Sequence, residues 1–341
     1  MRILVGLSGG FDSAYTAMLL QKEGHTVEGA ALDMHCYTET EEARGVALAL
    51  GIPFYVIPCR ALFEREVIEH FCDAYSMAKT PNPCIVCNEK VKFRALYDYA
   101  MAHGFDCIAT GHYARITENA GKYSVVVAAD NTKDQSYMLY RVPGEILKKL
   151  LLPMGNIIKK EAKLDASCRK LAADREESQD ICFVKNESHA DYIERRRGAF
   201  PHGEFIGESG EVLGEHGGIV RYTVGQRKGL GVSASARLYI TKIDAATNRI
   251  TLSDRPSDSR EFFLKDVVCS GMTIEEALAS GALKVRVRYT SPLVSATLSL
   301  KNDMILVTLS ESAGSTVTVG QSAVFYVEGR IALGGIIEKI I

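Results

Sequence analysis

Two sets of residues in this chain are of the right types and spacing to do chemistry: a glycine pair flanked by hydroxyls and a carboxylate, and three cysteines further on. The first set is Ser8-Gly9-Gly10-Phe11-Asp12-Ser13, between the apolar run Arg2 to Leu7 and the helical-looking run Ala14 to Glu23. A strand that turns through glycines into a helix leaves backbone N–H groups unpaired at the helix start, where the helix dipole adds positive potential. That arrangement seats a phosphate. Gly6 and Leu7 lead into it, Ser8 and Ser13 supply hydroxyls, and Asp12 supplies a carboxylate suited to Mg2+. Neither the Gly-Lys-Ser/Thr of a kinase P-loop nor a Gly-x-Gly-x-x-Gly dinucleotide turn occurs here, so the seat is of another kind. For the glycines alone, a tight turn chosen for its dihedrals explains the pair equally well.

The cysteines come next. Thr80-Pro81-Asn82-Pro83-Cys84-Ile85-Val86-Cys87-Asn88 is a proline-stiffened loop with a Cys-x-x-Cys ahead of a helix expected from Glu89. A thiol at a helix N-terminus is biased towards thiolate, the nucleophilic form. A zinc knuckle needs four ligands, and no second Cys-x-x-Cys or His pair answers this one. Cys182 lies in Gln179-Asp180-Ile181-Cys182-Phe183, where a lone cysteine between apolar residues reads as a small core residue. Ala109 to Arg115 ends a strand, with Gly111 allowing a nucleotide close to the backbone and His112 able to face RNA. Lys133-Asp134-Gln135 is a polar turn. In Arg221 to Gly231, basic, aromatic and glycine residues share one loop, so Arg227 and Lys228 can follow a phosphate backbone and Tyr222 can stack.

The elements that must position these residues follow from periodicity. With 341 residues and 47% hydrophobic content, the chain buries a large core in two or three domains. Apolar strands at Val27 to Leu32, Phe54 to Pro58 and Cys107 to Thr110 alternate with helical runs at Glu39 to Leu50, Ala61 to Met77 and Glu89 to His103. Such alternation builds an α/β domain with a parallel sheet, whose ligands lie beyond the carboxyl ends of the strands. Tyr113 to Ile116 and Tyr123 to Ala129 read as a hairpin inserted in it. From Pro201 the glycines crowd and short alternating runs replace helices, which suits small barrels. The expected domains are 1–200, 201–277 and 278–341, with the second break at Ile274 to Gly281. The Glu194 to Arg197 cluster reads as a solvated helix end.

Net charge excludes a chain that is basic throughout, since 40 basic residues meet 42 acidic ones, so any nucleic-acid surface is local. No run reaches the roughly 18 apolar residues of a membrane span, and no signal peptide is evident. A cytoplasmic location is expected, with the nine cysteines reduced.

Together the motifs resemble the N-type ATP pyrophosphatases and, within them, the tRNA-specific 2-thiouridylases. The resemblance spans nearly the full length. It implies a Rossmann-like ATP pyrophosphatase domain followed by two mainly-β barrel-like domains, with ATP and Mg2+ as cofactors. ATP would contact Gly6, Leu7, Ser8, Gly9, Gly10, Phe11, Asp12, Ser13, Leu32 and Gly111. Cys87 would be the catalytic thiol, and Cys182, after Ser178-Gln179, the persulfide carrier. Cys87 would face the target base, while Asn82, Pro83, Cys84, His112, Lys133, Asp134, Gln135, Arg227, Lys228, Arg288, Tyr289 and Gln321 would contact tRNA. The activity implied is ATP-dependent 2-thiolation of the wobble uridine: its C2 oxygen is adenylated, then sulfur replaces it. A cysteine desulfurase or persulfide carrier would supply the sulfur. Three departures stand out: Phe11 where valine is usual, Leu32 where methionine is usual, and Cys84 where some members carry aspartate. Cys84, Cys87 and Cys182 also suit an iron-sulfur cluster with one open iron, a less favoured arrangement. An amide-forming pyrophosphatase would explain Ser8 to Ser13 but not the cysteines. A non-catalytic tRNA-binding relative, with the fold kept and turnover gone, is the other rival.

Overall fold

The computed structural model describes residues 1–38, 40–165, 181–232, 237–281 and 283–341. Its first unit is a parallel sheet ordered β3-β2-β1-β4-β7, built from β1 (Arg2–Gly6), β2 (Thr26–Asp33), β3 (Phe54–Pro58), β4 (Cys107–Ala109) and β7 (Leu150–Leu151). The central strand β1 carries Ile3, Leu4 and Val5, all fully buried, as a strand covered on both faces requires. Ile3 and Val5 pack with Ala14 and Leu20 of α1 (Phe11–Lys22) and Val46 of α2 (Thr40–Leu50). Leu4 faces the other layer, with Phe63, Phe71, Phe93 and Leu96 from helices over 60–76 and 83–102.

The helix expected from Glu89 begins earlier, at Pro83. Pro83 occupies the first helical position, where a missing N–H is harmless, and Asn82 caps it by accepting the Cys84 N–H at 3.1 Å. A π-helical stretch, Asn88–Lys92, carries that helix on into Phe93–Ala102. Cys84 and Cys87 therefore lie inside a helix rather than in the loop before one.

The arginine cluster ending helix His189–Arg197 is partly exposed, as a solvated helix end would be, but it is also paired. Arg196 pairs with Glu64 and Glu69, and Arg197 with Glu69 and Asp73, which fastens this helix onto the one over 60–76.

The second unit is a four-stranded sheet ordered β10-β11-β8-β9, from β8 (Gly203–Ile206), β9 (Val212–His216), β10 (Tyr239–Asp244) and β11 (Arg249–Ser253). Phe205, Ile240, Ile250 and Leu252 form its core. The third unit joins β12 (Glu261–Cys269), β13 (Lys284–Arg286), β14 (Val294–Lys301), β15 (Met304–Leu309), β16 (Ser322–Val327) and β17 (Arg330–Ile340). The β12–β17 pairing closes these strands into a barrel. Because β12 belongs to the barrel, the third unit starts at Glu261; the break expected near Ile274 is a short helix, Ile274–Ala279, with a capping box at Thr273. The inserted hairpin, β5 (Arg115–Asn119) and β6 (Lys122–Val126), joins the barrel's sheet through β17 instead of the parallel sheet, so it bridges first and third units.

Candidate functional site

The carboxyl ends of β1 and β4 lie where the strand order reverses, and the structure brings both predicted nucleotide segments there. Gly9 takes a positive φ of 79°, and no side chain caps the start of α1. Ser13 Oγ donates to Gly10 O at 3.0 Å and receives the Ser8 N–H at 3.2 Å, which fixes the turn. Gly111 is needed for close approach: a Cβ there would fall 2.7 Å from the Asp12 carbonyl carbon. Phe11 stacks on Tyr15 at 5.4 Å, directing its ring into packing, and Leu32 is buried in the core.

The Asp12 carboxylate is doubly held. Tyr113 donates its hydroxyl to Oδ1 at 2.8 Å, and Lys159 Nζ lies 2.8 Å from Oδ2. Lys159 is buried, its backbone N–H bonded to Asp130 Oδ2 at 3.1 Å. Sequence reasoning missed Lys159 and the role of Tyr113. Lys159 is one of two adjacent lysines whose type and spacing mark neither as buried. A seat of backbone donors beside a lysine and a carboxylate fits a triphosphate with Mg2+.

The thiols form the second part of the site. Cys87 is buried, its Sγ 3.9 Å from Met34 Sδ at the end of β2, whereas Cys84 and Cys182 lie at the surface. Burial pushes the Cys87 thiol up to about 12, with the ammonium and backbone amide of Lys92 working the other way and Cys182 and Cys84 adding to the rise. Desolvation also raises Cys182, exposed though it is, with Cys84 nearby and Lys92 and Lys185 opposing. Cys84, Cys87, Cys182 and Lys92 thus share one electrostatic neighbourhood. The thiolate bias expected for Cys87 is absent, because the helix start sits at Pro83 and Cys87 lies buried beyond it. Ser178 and Gln179 lie outside the described residues.

That burial has a measurable consequence. At pH 8 a thiol held near 12 is thiolate in only about one molecule in ten thousand. Iodoacetamide labelling followed by mass mapping should therefore modify Cys87 at least about tenfold more slowly than the exposed Cys84 and Cys36. The sign for stability follows: the buried thiol's contribution is complete below its ordinary value and is lost as pH climbs towards about 12.

Among the described residues, no three His, Cys, Asp or Glu side chains are grouped to hold a metal ion.

Several residues expected to touch tRNA are committed inward. His112 bonds Thr110 Oγ1 at 2.8 Å and packs on Phe93 at 5.3 Å, and burial then Lys92 hold its imidazole well below its ordinary value, hence neutral. Asp134 is 5% exposed and accepts from Ala128 N, Ser136 and Arg286 Nη1, joining first unit to barrel. Gln135 accepts the Tyr113 N–H at 2.9 Å, and Tyr289 donates to Asp134 O at 3.0 Å. Arg288 donates to Val224 O at 3.2 Å and to Thr318 Oγ1, tying the second unit to the third. Gln321 Nε2 donates to Thr80 O at 2.8 Å. The Lys133 N–H closes the turn through Asp130 O at 3.0 Å. Of the basic residues in this set, only Arg227 and Lys228 stand fully exposed, on a loop braced by Gln226, whose Oε1 takes the Thr223 N–H at 3.1 Å. Tyr222, expected to be free for stacking, lies edge-on to Phe205 at 5.2 Å and to His216 at 5.7 Å in the second unit's core.

Comparison with known proteins matches the first unit, residues 1–186, to the model described as tRNA methyl transferase HUP domain. Residues 190–254 match the tRNA methyl transferase PRC-barrel domain, and 259–337 the aminomethyltransferase beta-barrel domain. The tRNA-specific 2-thiouridylase MnmA of Acetivibrio thermocellus is 36% identical over 98% of this chain and 98% of its own. That of Carboxydothermus hydrogenoformans is 36% identical over 99% and 98%. Among solved structures, the U34-tRNA thiolase NcsA from Methanococcus maripaludis with its [4Fe-4S] cluster is 18% identical, covers 57% of this chain and 67% of that one, and gives a TM-score of 0.32. Among the described residues, no helix is long and apolar enough to cross a membrane.

Proposed function

Because the chain belongs to the tRNA-specific 2-thiouridylase family, we propose that it converts the wobble uridine of tRNA to 2-thiouridine by adenylation at the glycine turn and sulfur transfer through Cys182 and Cys87. The observation that carries this reading is Cys87 held 3.9 Å from Met34, just past the end of β2, with Cys84, Cys182 and Lys92 acting on it, on the first unit whose neighbouring strand β1 ends in the phosphate seat. An amide-forming enzyme has no use for such a set of thiols.

The residues divide the work. The turn at Gly9, Gly10 and Ser13, with Lys159 close to Asp12, receives the phosphates of ATP; Asp12 would hold Mg2+, which would offset their charge. The base must leave its stack, since C2 is shielded on both faces there. Its C2 oxygen attacks the α-phosphorus and pyrophosphate leaves. The terminal sulfur of a Cys182 persulfide then attacks C2, a C–S bond forms, and the C2–O bond breaks with the electron pair leaving on AMP. Cys87 sulfur next attacks Cys182 Sγ, the S–S bond to the base breaks, and 2-thiouridine departs. A Cys87–Cys182 disulfide remains, which a cellular dithiol reductant returns to two thiols with two electrons and two protons. A cysteine desulfurase or persulfide carrier reloads Cys182.

Incubation of protein persulfide-loaded by a cysteine desulfurase and cysteine with unmodified tRNA, ATP and Mg2+, followed by nucleoside mass analysis, tests the reading. A gain of sulfur on uridine, with pyrophosphate release that depends on tRNA, is expected; no gain overturns it.

The exposed pair Arg227 and Lys228 makes a separate prediction about binding. Arg227→Ala with Lys228→Ala should lower the slope of log affinity against log salt by about one unit for each phosphate that the loop ceases to neutralise. An unchanged slope, measured by tRNA titration across salt, places the phosphate surface elsewhere.

A further inference from the structure

The loop leading into the helix that carries Cys84 and Cys87 is gripped by the barrel. The Thr80 N–H donates to Val319 O at 2.9 Å, and Thr80 O accepts from Gln321 Nε2 at 2.8 Å. Between these two bonds Gly320 turns at a φ of 91°, and a Cβ on it would fall 2.8 Å from Thr80 N and 3.0 Å from Lys79 Cβ. Only glycine permits that approach. One residue earlier, Lys79 Nζ lies 3.0 Å and 3.1 Å from the two Glu338 oxygens, a pair whose side chains are 24% and 32% exposed. The grip is itself anchored: Gly320 N–H donates to Ile337 O and Ile337 N–H to Gln321 O, both at 2.8 Å, so the turn and Glu338 are fixed to the same strand, β17.

On the loop side the chain is stiff. Pro81 and Pro83 each lock φ, and Asn82 caps the helix that holds both cysteines. A displacement at Thr80 therefore passes to the helix start without being absorbed. We propose that Gln321 and the Lys79–Glu338 pair, across Gly320, are positioning residues through which the barrel sets the placement of Cys87 for sulfur transfer. This rests on the thiolation reading above, and gives Gln321 a role besides any contact with tRNA.

The variants are Gln321→Ala, Lys79→Ala and Gly320→Ala in the full chain, with Lys79→Arg as the conservative control. The first readout needs no turnover: iodoacetamide labelling of Cys87 should speed up about tenfold as the loop loosens, with exposed Cys36 unchanged as internal reference. The second is turnover at saturating tRNA. Thionucleoside formation should fall by about tenfold to a hundredfold, while tRNA Kd stays within about twofold and Lys79→Arg recovers most of the rate.

Unchanged Cys87 labelling overturns the proposal, as does faster labelling with normal turnover. A raised Kd whose rate recovers at saturation makes Gln321 a tRNA contact instead. Labelling that rises equally at every thiol, with lowered Tm, makes the contacts merely structural. Should the unaltered protein form no thionucleoside, the thiolation reading fails by itself, and the labelling result still decides whether the barrel holds the loop.

Discussion

Cys87→Ser and Cys182→Ser each abolish thionucleoside formation, by about a thousandfold or more, while Cys84→Ser keeps a measurable fraction. The difference comes from the bonds each sulfur must make. On the proposed route Cys182 carries the transferred sulfur and Cys87 releases it by forming the final disulfide; serine could do neither. Cys84 is exposed at the first turn of the helix and adds only to the local potential felt by the other two. Removing it also removes a neighbour that raises both remaining thiols, so the loss is partial. The measurement is nucleoside mass analysis of single turnovers with persulfide-loaded protein. An equally dead Cys84→Ser, together with stoichiometric iron in protein purified without oxygen, would sink the persulfide route in favour of a cluster on all three cysteines.

The parallel sheet was legible in the sequence because its strands are continuous apolar runs bounded by glycines, and Ile3, Leu4 and Val5 needed no tertiary knowledge to be placed inside. The cysteine loop was legible as a motif but not as a shape. Reading Glu89 as the helix start missed Pro83 as the first helical residue, and with it the burial of Cys87 that reverses its expected acidity. The middle boundary failed for another reason. A change in composition marks the loss of helices, whereas β12 is assigned to the barrel by pairing with β15 and β17 across distant sequence. For the polar residues expected to contact tRNA, what was not legible is what else they hold. Asp134, Arg288 and Gln321 are of types that contact phosphates and bases, yet here they meet backbone and side-chain partners in another unit. Residue type alone does not tell an outward contact from an inward brace.

The glycine turn yields the second large effect. Asp12→Ala should lower tRNA-dependent pyrophosphate release by about a thousandfold or more, since it removes the carboxylate beside the phosphates and releases Lys159 from its set position. If Asp12 served only Mg2+ and the phosphates, its loss would leave folding nearly untouched, since the flanking strand and helix keep their apolar contacts. The structure predicts otherwise. The Lys159 side chain is only 10% exposed, and without the Asp12 carboxylate its charge stays largely buried beside the Tyr113 ring, 5.3 Å away. Asp12 itself is 32% exposed, so water screens part of the interaction, and a loss of about 1–2 kcal/mol is expected rather than the larger figure for a fully buried pair. Asp12→Ala combined with Lys159→Met removes the buried charge and should regain most of that stability while remaining inactive. Denaturant unfolding of the two single variants and the double variant gives the coupling, and pyrophosphate release gives the chemistry. Asp12→Ala protein with normal pyrophosphate release would remove this carboxylate from the reaction. Additive stability losses would show that the 2.8 Å contact with Lys159 contributes nothing to the fold.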